Sequence, residues 1–417
     1  MSKDQVIDHL FRHQHGRMVA ILCRVFGLRH LETIEDAVQD TFIKAMSAWR
    51  EGMPENPEAW LTKAAKNRMI DLFRSIDSEK KRAEHFESGS SAMAIDDLFL
   101  DAEVADSQLR MIFAACHPAL DPRDQIAFAL KTIAGFSQKE IAAALLLKEE
   151  TVKKRLSRAR ASIRKEDIAF SIPMGQELTT RRIRVLEVLY LLFNEGFHSI
   201  KKEIIVRKEL CGEAMRLCKM LVDHPVVCNP ETQALLALMC FHSARLDSKI
   251  DENNEIIDLR LQDRTKWFFP LILQGNDLMF KATEEDTFSA YHYEAAIASE
   301  HLKASTFDDT DWPRINKWYE RLQKISPSPF NLLNMAVVAL QQDLPTEAKT
   351  ILDTIKIESL EQRRYLYHGC LAQYYLKVGR DGEAISAYGR AIDLVSNESE
   401  KRYLIRKRDK ITTGSEE

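Results

Sequence analysis

At 417 residues the chain is longer than one ordinary domain and has material for two to four compact units. Hydrophobic residues at 45% and charged residues at 29% exclude a disordered chain. The longest apolar runs, Val185 to Phe193 (broken by Glu187) and Ala234 to Phe241, are far shorter than the roughly 20 residues that span a bilayer. The net charge of −4 excludes a uniformly basic nucleic-acid binder, so any such binding must rest on local patches.

The opening MSKDQVIDHLFRHQHGR reads as an amphipathic helix without an export signal, and the expected location is the cytoplasm. Seven cysteines without a CxxC pair read as buried free thiols. Cys116-His117 has no second ligand pair at suitable spacing, so neither a metal nor a cofactor is expected. Apolar residues recur at three- and four-residue spacing almost throughout, which predicts an all-α protein.

Thr33 with Asp36 three residues on reads as a capping box opening a helix. Its inward face is Ile34, Ala37, Val38, Thr41, Phe42, Ala45, Met46 and Trp49, leaving Glu35, Asp36, Gln39, Asp40 and Lys44 outside. After the breaks at Gly52-Met53-Pro54 and Asn56-Pro57, a second helix turns Leu61, Ala64, Ala65, Met69, Leu72, Phe73 and Ile76 inward. Lys63, Lys66, Asn67, Asp71 and Arg74 then form a polar stripe, which on an ordinary helix is a solvated face. From Glu84 to Asp106 the chain carries seven acids and no Lys or Arg, and Gly89-Ser90-Ser91 lies within it. This predicts a flexible linker, residues 83–106, between helical units 1–82 and 107–167.

The second unit ends in a helix-turn-helix pattern. Ser137 and Glu140 make a capping box with Ile141 and Leu145 inward, a turn follows at Leu146-Leu147-Lys148, and the next helix buries Val152, Leu156, Ala159 and Ile163. Helical geometry then places Thr151, Lys154 and Arg158 outermost, flanked by Glu150, Ser157 and Ala161. Such a face suits base reading in a major groove with cations on phosphates, although a basic solvated face is the plainer alternative.

Three segments, EDAVQDTFIKAMSAW, NPEAWLTKAAKNRMIDLFR and GFSQKEIAAALLLKEETVKKRLSRARASIRK, resemble regions 2 and 4 of extracytoplasmic-function (ECF) sigma factors, in order and separation. The resemblance covers residues 5 to 167. It implies that region 2 packs on core RNA polymerase and opens the −10 element of promoter DNA, while region 4 reads the −35 duplex. Carried onto this chain, it makes Asp36, Gln39 and Asp40 the polymerase face. Lys63, Lys66, Asn67, Asp71 and Arg74, with the loop from Trp49 to Asn56, would handle the −10 strand. Thr151, Lys153, Lys154, Arg155, Ser157 and Arg158 would bind the −35 element. Trp49 and Trp60, at core spacing, read more readily as packing than as stacking platforms. The sequence departs from the family at Leu146, where the turn often has Gly, and at Lys148, where Ser or Thr usually precedes the recognition helix.

Beyond Ile172-Pro173-Met174-Gly175, residues 176–417 form a further helical region. YHGCLAQYYLKVGRDGEAISAYGRAIDL matches the tetratricopeptide pattern through Leu371, Ala372, Tyr375, Ala384, Tyr388 and Ala391. An earlier copy uses Met335, Ala336, Ala339, Ala348 and Leu352, and a half-repeat Ala214, Cys218 and Leu221. The region resembles the tetratricopeptide-like extension of one sigma-factor group, which implies regulation in cis and a protein or small-molecule partner. Glu195 stands without a catalytic partner, no phosphate loop or nucleophile elbow occurs, and no enzyme is expected. The rival reading is a helix-turn-helix regulator with a repeat sensor that is not a polymerase subunit, and it leaves residues 30 to 82 unexplained.

Overall fold

Helical spacing in the sequence becomes helix in the computed structural model, which describes residues 3–49, 52–80, 101–145, 147–197, 208–252 and 255–413. Among the described residues there is no strand, only an isolated antiparallel bridge between Ile250 and Ile256. The chain divides into two compact units, Met1–Leu189 and Tyr190–Glu417.

In the first unit, α1 (Lys3–Phe26) ends at Gly27, whose φ of +90° suits glycine, and a 3-10 turn at Leu28–His30 feeds α2 (Leu31–Ala48). The helix therefore starts before Thr33, which is not its cap: the turn and buried Leu31 set the start instead. Ile34, Ala37, Val38, Thr41, Phe42, Ala45 and Trp49 are buried as the spacing predicts, but Met46 is exposed and Glu35 is buried. Helix α3 (Pro57–Lys80) opens with Asn56 Oδ1 accepting from Ala59 N at 3.0 Å and proline in the first turn. Leu61, Ala65 and Met69 are buried, whereas Ala64 and Leu72 are half-buried; the side chains of Phe73 and Ile76 lie outside the described residues.

Helix α4 (Asp101–Ala115) corrects the expected linker boundary, because residues 101–106 are helical. Val104 is buried, so the helical spacing reaches back into the acidic stretch, and Arg24 of α1 donates to Glu103 at 2.5 Å and Asp106 at 3.3 Å. Those ion pairs tie the end of the acidic stretch to α1. Gly89-Ser90-Ser91 and the rest of 81–100 lie outside the described residues. Helices α5 (Pro122–Thr132), α6 (Gln138–Ala144) and α7 (Glu149–Lys165) follow. Helix α8 (Gly175–Phe197) starts in this unit: buried Arg181 donates to the Phe113 carbonyl at 2.6 Å and to Glu177 at 3.0 Å. The division between the units thus falls inside α8, later than the boundary expected near residue 176.

The second unit comprises α9 (Lys208–Asp223), α10 (Pro230–Ala244), α11 (Phe269–Ala282), α12 (Ala290–Lys303), α13 (Trp312–Ile325), α14 (Pro329–Gln341), α15 (Pro345–Thr354), α16 (Arg364–Lys377), α17 (Asp381–Leu394) and α18 (Glu398–Thr413). Helix α10 is apolar all round and central, with every residue from Ala234 to Phe241 buried among α9, α11 and α12. The segments with repeat spacing form consecutive packed helices, α14 with α15 and α16 with α17. Ala336, Ala339, Ala348, Leu352, Ala372, Ala384, Tyr388 and Ala391 are buried, as are Ala214, Cys218 and Leu221 of α9. Met335, Leu371 and Tyr375 are half-buried.

Candidate nucleic-acid interface

Local capping chemistry builds the helix-turn-helix. Asp121 caps α5 by accepting from Arg123 N at 2.9 Å, with Pro122 in the first turn. Ser137 Oγ accepts from Glu140 N at 3.2 Å while the Glu140 carboxylate accepts from Ser137 N at 2.8 Å, closing the expected capping box. Ile141 is buried, and Leu145, at the end of α6, is half-buried. Leu146, which stands where the family turn often has Gly, lies outside the described residues. Lys148 precedes α7 in extended conformation and contributes no side-chain cap. Val152, Leu156, Ala159 and Ile163 are buried against α5 and α6, which fixes the rotation of α7 about its axis.

That rotation leaves Lys153, Lys154 and Ser157 exposed and Thr151 half-buried. Arg155, also half-buried, donates to the Arg123 carbonyl at 3.1 Å. Arg158 differs from a free base reader. Its Nε and Nη2 donate to both oxygens of Asp124 at 2.9 and 2.7 Å, and that carboxylate is almost fully buried. A bidentate pair to a buried acid holds α7 on α5, a positioning task. Sequence reasoning missed Asp124, which has the appearance of an ordinary acidic residue in the first turn of a helix.

On the region-2 side, Lys63, Asn67 and Asp71 are exposed, but Lys66 is buried at 8% exposure, a correction to its place on a solvated stripe. Helix α3 is rolled so that Lys66 faces a cleft of about 550 Å³ bounded also by Gln14, Arg17, Asn56, Lys63 and Asn67. Three of the five −10 candidates therefore converge on one cavity. Asp71 is not among its lining residues, and the Arg74 side chain lies outside the described residues. Trp49 is buried edge-on against Trp60, with ring centroids 5.4 Å apart, a packing contact. Of the loop between them, residues 50 and 51 are not described. On α2, Asp36 and Gln39 are exposed, and Asp40 pairs with Arg68 at 3.2 Å.

The two modules also touch each other. Glu35 of α2 is 5% exposed and accepts from Arg160 of α7 at 2.5 Å, while Arg164 reaches Glu32 at 2.8 Å nearer the surface. Glu35 Oε1 is buried with no hydrogen-bond partner among the described residues. Burial therefore raises the Glu35 pKa even though the Arg160 cation opposes it. Nearby, a Cβ on Gly16 would lie 1.9 Å from the Ile133 carbonyl oxygen, so α1 reaches the end of α5 only with glycine there. His15 packs beside Gly135, and burial, aided by Lys131, lowers its pKa to about 3.

Comparison with known proteins agrees with this layout. Residues 10–79 match Sigma-70 region 2, residues 110–163 match Sigma-70 region 4, and residues 181–283 match a family of unknown function, DUF6596. The chain is 31% identical to the RNA polymerase sigma factor CnrH of Cupriavidus metallidurans, over 36% of this chain and 81% of that protein. It is 29% identical to the ECF RNA polymerase sigma factor SigE of Mycolicibacterium smegmatis, over 38% of this chain and 60% of that one. Over its whole length it is similar to protein R00370 of Rhizobium meliloti, at 32% identity across 95% of this chain and 94% of the relative. No solved structure matches. With both sigma regions present in order, the chain belongs to the RNA polymerase sigma factor family.

Proposed function

We propose that the chain is an ECF-type sigma factor that joins core RNA polymerase, reads promoter DNA and starts transcription, with its second unit acting on it in cis. The observation that carries this reading is the geometry of α7. A capped helix-turn-helix presents Thr151, Lys153, Lys154 and Ser157 along the N-terminal half of its second helix, where a major groove would meet them. In this reading Lys154 and Thr151 face base edges of the −35 element, Lys153 and Arg155 neutralise phosphates, and Arg158 sets the helix through Asp124.

The −10 strand enters the cleft beside α3. Asn67 can both donate and accept at a base edge, and Lys63 and Lys66 supply positive charge for single-strand phosphates. Asp71 and Arg74 extend the same helix beyond the cleft. Asp36 and Gln39, with Asp40 braced by Arg68, form the acidic face offered to polymerase. The second unit is read as tetratricopeptide-like because buried small and aromatic residues fall where that repeat needs them, and a stack of helix pairs supplies a surface for a regulatory partner. The regulator reading without polymerase has no use for the region-2 match at residues 10–79.

Permanganate footprinting of promoter DNA with core polymerase tests the proposal. Asn67→Ala is expected to spare polymerase binding and reduce strand opening. Removal of the second unit after Leu189, which keeps the Arg181 contacts intact, is expected to change opening severalfold. Equal loss of polymerase binding and opening in Asn67→Ala assigns that residue to folding, and unchanged opening after truncation refutes control in cis.

A further inference from the structure

The second unit holds a cavity of about 440 Å³ among α11, α12 and α13. Its aromatic wall is continuous. Phe288 lies 6.2 Å from Tyr293 and Tyr293 6.2 Å from Trp318, centroid to centroid. Gly275 makes the floor possible, because a Cβ there would stand 2.4 Å from the Phe241 ring, so only glycine lets that ring sit under α11. The apolar surface does not stop at the cavity. Phe269, Leu273 and Phe280 lie four and seven residues apart on α11, one face of the helix, and are 62%, 50% and 74% exposed.

The rim around Trp318 is cationic. Lys303 and Arg314 both pair with Oε1 of buried Glu300, at 3.0 and 3.1 Å, so one carboxylate faces two cations. Arg321 stands over the Trp318 ring at 5.3 Å. A second cavity of about 310 Å³ shares Arg314, Trp318 and Arg321 with the first and adds Lys317. The indole nitrogen of Trp318 is buried with no hydrogen-bond partner among the described residues, leaving one donor unused at the junction. Four cations thus stand against Glu300 and Asp311 on the lining, and Asp311 is engaged in capping α13 through Arg314 N at 3.0 Å. Glu284, Glu285 and Asp286, in the turn between α11 and α12, are not among the lining residues.

We infer that this groove is a docking site for an acidic peptide segment of a partner protein, one that presents apolar anchors beside its carboxylates. Leucine or phenylalanine side chains of the segment lie on the Phe280, Phe288 and Tyr293 wall, and its carboxylates reach Arg314, Lys317 and Arg321. A small aromatic acid would satisfy the cations but leave the exposed face of α11 uncovered. A polyanion such as nucleic acid would use the cations without the apolar wall. An acidic peptide with apolar side chains covers both, and charge complementarity selects it.

The test uses the full chain and a fluorescein-labelled synthetic peptide, Glu-Asp-Leu-Phe-Asp-Glu-Leu-Phe-Glu-Asp, followed by anisotropy at low and physiological salt. Saturable binding is expected, weakened at least tenfold by Lys317→Glu with Arg321→Glu, and separately by Phe280→Asp. Both variants change exposed side chains, and unchanged thermal unfolding shows that they fold. A peptide with amides in place of its acids, and one with alanine in place of Leu and Phe, should each bind at least tenfold more weakly. Absence of saturable binding, equal binding of the amide peptide, or indifference to either variant overturns the inference. So does binding of indole-3-acetate or a single-stranded oligonucleotide at the same groove in preference to the peptide.

Discussion

Replacing Arg160 by alanine should loosen the contact that holds the recognition helix on region 2. Arg160 is the one cation hydrogen-bonded to Glu35 among the described residues, and that acid is 5% exposed. Breaking a buried pair from one side typically costs about 3 to 5 kcal/mol. Glu35 can relieve part of that by taking up a proton, because burial already raises its pKa, so the lower end of the range applies. A loss of about 3 kcal/mol is a change of roughly 150-fold in the opening equilibrium. Hydrogen–deuterium exchange of the full chain reads it as faster exchange, together, in peptides from α2 and from the C-terminal half of α7. Arg164→Ala is the internal control: its partner Glu32 and Arg164 itself are about half exposed, and such pairs contribute about 0 to 1 kcal/mol, less than roughly tenfold. The double variant Glu35→Leu with Arg160→Met, which replaces the pair by apolar groups, should restore protection. If Arg160→Ala speeds exchange less than twofold, or no more than Arg164→Ala, the buried pair does not hold the modules together.

Lys154→Ala should lose about 1 to 3 kcal/mol of −35 binding and alter the preference among promoter variants, measured by titration of duplexes. Arg158→Ala should instead weaken all sequences alike and lower the thermal stability of the first unit, because it strands buried Asp124. In the second unit, burial raises the pKa of Glu294 to about 7 from an ordinary 4.5, although Tyr190 donates to it at 2.7 Å. A raised carboxyl pKa favours the protonated fold, so this group contributes nothing unfavourable below pH 4.5 and its full penalty above about 7. Relative to the native chain, Glu294→Gln should therefore gain about 3 kcal/mol between those limits, read from urea unfolding at several pH values. A pH-independent difference would place the carboxylate in solvent.

What could be read from the sequence was local. The capping box at Ser137 and Glu140 and the buried row Val152, Leu156, Ala159 and Ile163 were legible because their chemistry lies within one or two helical turns. Glu35 and Lys66 were misplaced, and the partner of exposed Arg158 was missed, for one shared reason: each lies on the polar side of its own helix, and its surroundings are set by another helix. Periodicity sees the face but not what covers it, so α7 over Glu35 and buried Asp124 under Arg158 had no signature in the spacing. The start of α4 was hidden by charge composition, since the pairing of Glu103 and Asp106 with Arg24 joins residues about eighty positions apart. The groove of the second unit draws its wall and its cations from Phe241 to Arg321, across helices far enough apart in sequence that no local motif marks it.

Run-off transcription with purified core polymerase asks most directly whether this chain selects promoters as a polymerase subunit. The expected result is a transcript from a defined start that requires both the chain and core, and that falls when Lys154 or Asn67 is replaced by alanine. A chain that binds the same DNA yet gives core no defined start, under conditions where a known sigma factor does so, would contradict it.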